Sequence, residues 1–277
     1  MRIDLCGVRG SIPAAGADYA RIGGNTSCIA LAHDGQPTSL VLDAGTGLRR
    51  LSKLLNGAPF CGTIILGHVH WDHIMGIPFF SAGDRPDASV RMMLPAQGLD
   101  PLTLLSRAMT PPLFPITPDQ LRGSWKFETY DEGERELEGF SVIMREIPHS
   151  GGRTMGLRIS DGTTSIAYLS DHAPHNLGPG ADGLGELHPA ALELAHDVDV
   201  LFHDAQYTTD ELPARFTWGH AAAQYCVTLA EQARARTVML FHHDPSRTDD
   251  QVEALHATLK SETVDIRVAV EGTSLQF

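Results

Sequence analysis

The feature that most restricts the fold of this chain is a cluster of side chains able to bind metal ions, directly after an apolar run. Residues 63–66 read as a buried β-strand, and the residues that follow include His68, His70, Asp72 and His73. Side chains two positions apart in an extended segment point to the same side, so His68 and His70 can reach one ion. A turn at Asp72 and His73 can direct a carboxylate and an imidazole to a second ion. The pattern predicts a metal site at a strand end.

The composition agrees with a metal site and restricts the partners. The formal net charge is -13, and 14 histidines are an unusual number for an acidic chain. Attraction to nucleic acid depends on Lys and Arg, so the negative net charge opposes it. An anionic substrate would need cations concentrated at its binding site. The apolar runs are too short for a membrane helix, and residues 1–4 do not begin a signal peptide. We therefore expect a cytoplasmic protein without a membrane partner.

The periodicity of apolar residues predicts a layered α/β protein. We expect strands at residues 3–6, 27–32, 39–42, 63–66, 90–94, 126–130, 140–147, 156–159, 165–169, 198–202, 238–241 and 264–270. We expect helices at residues 47–55, 97–108, 189–195, 221–232 and 249–259. A proline-rich segment from Pro95 to Pro118 reads as an ordered surface loop rather than a linker. We therefore expect one domain spanning residues 1–277.

Residues 68–73 match the His-x-His-x-Asp-His signature of the metallo-β-lactamase superfamily, and the chain resembles that family along most of its length. The other matching positions, in order, are Asp43 at a strand end, His149 at another, Asp171 after a hairpin and His242 near the C-terminus. The resemblance implies an αββα sandwich, in which two mixed β-sheets lie between helices. It also implies that the metals lie at one edge, where loops meet.

By the same resemblance, seven side chains bind two metal ions. The first ion would be held by His68, His70 and His149, the second by Asp72, His73 and His242, and Asp171 would bridge them. Imidazoles and carboxylates suit zinc, and manganese or iron would accept the same ligands. Such a dinuclear centre would lower the pKa of a bridging water, supply hydroxide at neutral pH and balance charge on a phosphoryl oxygen. It would thereby offset the acidic net charge for an anionic substrate.

Four further residues near these positions have alternative roles. Asp43 either orients a ligand imidazole or stabilises a turn. Arg9 lies among glycines and either pairs with phosphate or lies on the surface of a plain turn, so we do not count it as catalytic. His172 and His243 each follow a candidate ligand directly and are either structural residues or part of the rim of the site.

A further pair of motifs resembles the phosphodiesterase branch of the superfamily, which includes ribonuclease Z and bacterial cyclic phosphodiesterases. Asp204 ends a predicted strand, and Gly219 and His220 open a predicted helix. The resemblance implies that Asp204 orients His220, which donates a proton to the leaving oxygen. A strand-end aspartate and a helix-capping Gly-His are the structural alternative. The candidate catalytic residues are Asp72, Asp204 and His220.

The substrate expected from these motifs is a small-molecule phosphodiester such as a cyclic nucleotide. Ribonuclease Z enzymes typically carry a basic arm that grips tRNA, and no such insertion lies between the motifs. Aromatic residues make up only 6% of the chain, and no stripe of Lys and Arg offers a track for a nucleic-acid backbone. The leading function is metal-dependent phosphodiester hydrolysis. The alternative functions that stay open are a lactonase or thioesterase, a ribonuclease Z-like RNA endonuclease and a noncatalytic binding module. The protein could also form a homodimer.

Overall fold

The strands form two β-sheets of seven strands each, in a computed structural model that describes residues 1–277. The first sheet contains β1 (Arg2–Gly7), β2 (Cys28–Ala32), β3 (Leu40–Leu42), β4 (Cys61–Ile65), β5 (Ser89–Pro95), β6 (Ser124–Tyr130) and β14 (Ser274–Gln276), in the spatial order β14-β1-β2-β3-β4-β5-β6. The second contains β7 (Gly133–Leu137), β8 (Phe140–Ile147), β9 (Thr154–Ser160), β10 (Ser165–Leu169), β11 (Val200–Asp204), β12 (Thr237–Phe241) and β13 (Asp265–Val268), in the spatial order β13-β12-β11-β10-β9-β8-β7.

Both sheets are mixed, and they share one pattern of strand directions. In the first sheet β14, β1, β2 and β3 pair antiparallel, whereas β3, β4, β5 and β6 pair in parallel. In the second sheet β7, β8, β9 and β10 pair antiparallel, whereas β10, β11, β12 and β13 pair in parallel. Each sheet therefore has an edge where the carboxyl ends of parallel strands converge, which is the usual place for a ligand site.

Helices cover the outer faces of the two sheets. They are α1 (Leu48–Leu54), α2 (Trp71–Ile74), α3 (Pro101–Ser106), α4 (Pro189–Ala195), α5 (Leu212–Arg215), α6 (Ala223–Ala233) and α7 (Asp249–Thr258). α1 and α3 contact the first sheet, and α4 and α6 contact the second. This layering confirms the predicted αββα sandwich with two mixed sheets. None of the helices combines the length and the apolar composition needed to cross a membrane.

The main hydrophobic core fills the space between the sheets. Ile3 and Ile65 of the first sheet lie in one buried cluster with Val142, Phe202 and Phe241 of the second. Burial of each such side chain stabilises the fold by roughly 1.5–3 kcal/mol. Because this core joins the two inner faces, it also fixes the position of one sheet edge relative to the other.

All the strands expected from the sequence are present with bounds shifted by at most about two residues, as is usual for strand ends. Two edge strands, β7 and β14, were missed. β7 carries the exposed residues Glu134, Arg135 and Glu136 and only one buried residue. Charged residues protect an edge strand from pairing with another chain, but they also remove the apolar alternation on which strand prediction relies.

The helix expected at residues 97–108 is wrong at its start, because α3 begins at Pro101. A residue before proline favours extended backbone, so Asp100 cannot continue a helix. Its carboxylate instead caps the helix by accepting a hydrogen bond from the Thr103 backbone nitrogen at 3.0 Å. The proline-rich segment thus contains a short capped helix as well as loop.

Both alternatives for Arg9 are wrong, because its side chain is fully buried and its guanidinium is bound by groups of the protein. The guanidinium donates to the carbonyl oxygens of Gly23 at 2.8 Å and Arg247 at 2.7 Å, and it pairs with Asp249 Oδ1 at 2.9 Å. Asp249 is the first residue of α7. Arg9 therefore joins the segment after β1 to the loop that precedes α7, and its role is structural.

Replacing Arg9 with methionine should lower the free energy of unfolding by about 3–5 kcal/mol, because Asp249 would keep a buried charge without a partner. Urea unfolding followed by circular dichroism measures the change. Arg21→Met serves as the control, since Arg21 pairs with Asp250 on the surface and should matter far less. Equal, small losses in the two variants would contradict a structural role for Arg9.

Candidate metal centre

The candidate ligands follow the carboxyl ends of strands from both sheets. His68 comes shortly after β4 in the first sheet, and Asp43, which is not among the candidate ligands, comes directly after the neighbouring β3. His149 and Asp171 follow β8 and β10, and His242 comes directly after β12, in the second sheet. The site therefore lies where the two sheet edges meet.

His68, His70 and His149 form the first group of ligand-type side chains. One nitrogen of each lies within 4.8 Å of the others, and His149 Nε2 is 3.3 Å from His70 Nδ1. Burial lowers the pKa of all three, that of His149 to about 4. Neutral imidazole is the state that binds a metal ion, so this group is prepared for one.

Asp72, His73, Asp171 and His242 form the second group, which is buried throughout. Asp72 Oδ2 lies 3.2 Å from His73 Nε2 and 3.1 Å from His242 Nε2. Asp72 and His73 belong to α2 rather than to the expected turn, and this short helix directs both side chains inward.

Asp171 lies between the two groups. Its Oδ2 is 3.1 Å from His73 Nε2 and 3.4 Å from His242 Nε2. Its Oδ1 is 3.7 Å from His149 Nε2 and 3.8 Å from His68 Nε2. Each oxygen thus faces one group, the position in which a carboxylate can bridge two ions.

The side chains present fit two divalent ions. His68 Nε2, His73 Nε2 and Asp171 Oδ2 are buried and make no hydrogen bond, which is rare for polar atoms in a folded protein. Burial alone would lower the pKa of His73, but Asp72 and Asp171 raise it well above its ordinary value. Burial alone would raise the pKa of Asp171, but the surrounding histidines hold it well below. The second group therefore stabilises added positive charge.

Asp43 holds one of these imidazoles in position. Its Oδ2 accepts hydrogen bonds from His73 Nδ1 at 2.7 Å and from the Tyr168 hydroxyl at 2.6 Å. Its Oδ1 accepts from the Gly67 backbone nitrogen at 2.7 Å. Asp43 thus contacts a candidate ligand imidazole and the main chain at the same time, and these contacts agree with both alternatives considered for it. Tyr168 was missed, because nothing in the sequence separates it from other core residues.

Two main-chain groups that form hydrogen bonds with candidate metal ligands were also not predicted from the sequence. The Gly219 carbonyl oxygen accepts from His149 Nδ1 at 2.6 Å, and the Ser11 backbone nitrogen donates to Asp72 Oδ2 at 2.7 Å. Main-chain groups carry no signal of residue type. The glycine in the Gly-His element was the available hint for Gly219.

Asp204 and His220 form a pair beside the second group. His220 Nδ1 lies 2.7 Å from Asp204 Oδ2 and 3.8 Å from Asp171 Oδ1. α6 begins at Ala223, so His220 precedes the helix instead of opening it as expected. Its ring therefore projects from a loop toward the metal groups.

His172 and His243 lie behind the site. His172 Nδ1 is 2.9 Å from His203 Nε2, and His243 Nε2 is 3.1 Å from the Ala269 carbonyl oxygen. Both rings are buried. The structural alternative is therefore the one that the contacts favour for each.

An open cleft of about 420 Å³ leads to the two groups. It is lined by Ser11, Val69, His70, Trp71, Asp72, Asp171 and His220. No Lys or Arg is among them. A negatively charged substrate would therefore depend on bound cations and imidazoles for charge compensation.

Comparisons with known proteins agree with this architecture. Residues 38–243, which include every candidate ligand, match the family model of a beta-lactamase superfamily domain. Ribonuclease Z of Natronomonas pharaonis is 22% identical over 280 residues, which cover 87% of this chain and 86% of that protein. The metallo-beta-lactamase fold protein YhfI from Bacillus subtilis has a similar fold, with a TM-score of 0.70, 16% identity, and coverage of 99% of this chain and 98% of that chain. A diphosphatase from the PhnP family has a TM-score of 0.70, 17% identity, and coverage of 100% of this chain and 97% of that chain.

Protein reconstituted with zinc and then desalted should contain about two ions per chain by elemental analysis. Asp171→Ala should lower the occupancy of both sites, because this carboxylate lies between the groups. His149→Ala should weaken mainly the first site. A metal content near zero in the unaltered protein would overturn the assignment of the ligands.

Gly219→Ala should weaken metal binding at the first group. Gly219 has a φ of +90°, and an added Cβ would lie 2.7 Å from His149 Nδ1, so the imidazole would have to move. Gly162→Ala is the matched control, because Gly162 has a φ of +89° but no atom within 4 Å of the added Cβ. Both variants carry similar backbone strain, and equal metal content in the two would contradict a positioning role for Gly219.

Proposed function

The chain belongs to the metallo-β-lactamase superfamily of metal-dependent hydrolases, and from this premise we propose that it hydrolyses a small phosphodiester. The observation that carries the proposal is the Asp204–His220 pair, with 2.7 Å between Asp204 Oδ2 and His220 Nδ1, at the wall of the cleft. The names of two similar proteins, a ribonuclease and a diphosphatase, support chemistry at phosphorus.

The seven side chains of the two groups would hold the metals, with Asp171 between them. Bound there, two divalent ions would activate water and neutralise charge on the phosphoryl oxygens. Five imidazoles and two carboxylates favour zinc, and manganese or iron would fit the same donors. Asp43 and the Gly219 carbonyl keep His73 and His149 in the orientation that binding requires.

His220 is placed to supply a proton. Hydrolysis adds a water oxygen to phosphorus and breaks one P–O ester bond, and the departing oxygen must gain a proton if it leaves as an alkoxide. His220 Nδ1 forms a hydrogen bond with Asp204, whereas Nε2 makes no hydrogen bond within the protein. The imidazole ring lines the cleft. Asp204 therefore holds the ring through Nδ1 and leaves Nε2 free to donate a proton to a bound ester.

The cleft favours a small substrate over a nucleic acid. Binding along an RNA backbone requires several Lys or Arg contacts, and the cleft lining supplies none. A single phosphodiester carries one negative charge, which the metal groups can balance. Cyclic nucleotides belong to this class and are the first natural compounds to assay.

His220→Ala, with metal content checked, should lose about 10²- to 10⁴-fold in kcat on a phosphodiester with an alkoxide leaving group, the usual span of general acid catalysis. A p-nitrophenolate leaving group is stable without a proton, so its hydrolysis should fall much less. Asp204→Asn should show the same pattern more weakly, because orientation is lost but the proton donor remains. The measurement is kcat of each variant on substrates with an alkoxide and with a p-nitrophenolate leaving group.

His196→Ala provides a matched control, since His196 is an exposed histidine that contacts Arg234 on the surface. Equal losses on both leaving groups in His220→Ala would reject the role of His220 as a proton donor. Turnover of lactones or thioesters by the metal-loaded protein, with none of phosphodiesters, would reject the proposed substrate class and favour another hydrolase.

A further inference from the structure

An apolar groove of about 210 Å³ opens beside the metal cleft. One wall comes from α2 and the turn after it, with Trp71, Ile74 and Phe79, and the other from α3 and the loop after it, with Met109 and Phe114. Every residue that lines the groove is apolar or proline. Neither the metal groups nor the proton donor accounts for this surface.

The groove adjoins the cleft at Trp71. This side chain is 72% exposed and lines both cavities, and the next residue, Asp72, is a candidate ligand. A smaller hollow, mostly apolar but also lined by Arg107, shares Val69 and Trp71 with the cleft and Trp71 with the groove. A ligand held at the metals can therefore extend past Trp71 into the groove.

The groove keeps large apolar side chains accessible to water. Phe79 is 59% exposed, and its ring packs edge-on against Phe114 with 6.0 Å between centroids. Exposed apolar patches with a defined shape usually mark a binding surface. Met75 and Met109 give the lining flexibility, which suits chains of variable shape.

We infer that the groove binds an alkyl or simple aryl group carried by the phosphodiester, so that the substrate is amphiphilic. This inference rests on the proposed phosphodiesterase function. Because the groove adjoins the cleft at Trp71, we assign its occupant to the substrate rather than to a separate partner. A nucleobase would bring hydrogen-bonding edges that the lining cannot satisfy, so its burial there would be costly. A cyclic nucleotide would occupy the cleft without filling the groove.

The test uses p-nitrophenyl phosphodiesters whose second ester group is methyl, butyl or octyl, with zinc-loaded protein below the micelle concentration of the octyl compound. The leaving group is the same throughout, so differences report binding of the chain. We expect kcat/KM to rise roughly two- to fourfold for each methylene until the groove is filled. Phe79→Ser should flatten this dependence.

Leu113→Ser is the matched control, because Leu113 is 75% exposed in the same region but does not line the groove. It should keep the dependence on chain length. A flat series for the unaltered protein, or the same flattening in both variants, would overturn the inference while the proposed function stands.

Binding measured by calorimetry separates the inference from the proposed function. Zinc-loaded His220→Ala should bind octyl methyl phosphate more tightly than dimethyl phosphate and with a more negative heat-capacity change. That result, combined with no hydrolysis of any phosphodiester by the unaltered zinc-loaded protein, would support the groove and reject the function. Equal binding of the two compounds would overturn the inference. Self-association of the protein that Phe79→Ser abolishes would also overturn it, because the groove would then be an interface between copies.

Discussion

The site depends on the burial of Asp171 between imidazoles that come from two different sheets. A charge taken out of water costs several kcal/mol unless it is paired and hydrogen-bonded. His73 follows β4 of the first sheet, and His242 follows β12 of the second. One nitrogen of each lies within 3.4 Å of Asp171 Oδ2. The compensation therefore exists only when the two sheet edges meet. The packed core between the sheets holds them there, so packing and electrostatics require the same geometry.

The backbone at the strand ends directs the side chains into this narrow space. Asp43 and His242 each directly follow a strand, and they have φ values of +61° and +57°. Residues other than glycine rarely adopt this left-handed conformation, and Asp and His do so more often than most. Glycines remove side chains where the main chain approaches a ligand. A Cβ on Gly10 would lie 2.4 Å from His242 Nδ1, and one on Gly219 would lie 2.7 Å from His149 Nδ1.

The sequence predicts those features of the structure that are determined by residues close together in the chain. Strands and the grouping of His68 with His70 depend on local periodicity, and they are found in the structure as expected. The hydrogen bond from Tyr168 to Asp43 joins residues far apart in the chain, and the Ser11 and Gly219 contacts use main-chain atoms. Such contacts leave no local pattern. Arg9 was misplaced for the same reason, because its partners come from a distant segment.

The helix α2 carries both a candidate metal ligand, Asp72, and a residue of the apolar groove, Trp71. Asp72 is 5% exposed and belongs to the second group of candidate ligands, whereas the preceding residue, Trp71, is 72% exposed and lines both the cleft and the groove. The Thr26 hydroxyl donates to the Asp72 carbonyl oxygen at 2.7 Å, which ties the helix to the first sheet. Rotation of α2 would move Trp71 and Asp72 together. The other wall of the groove, around Met109 and Phe114, comes from a segment that holds none of the candidate ligands, so the two walls belong to separate parts of the chain.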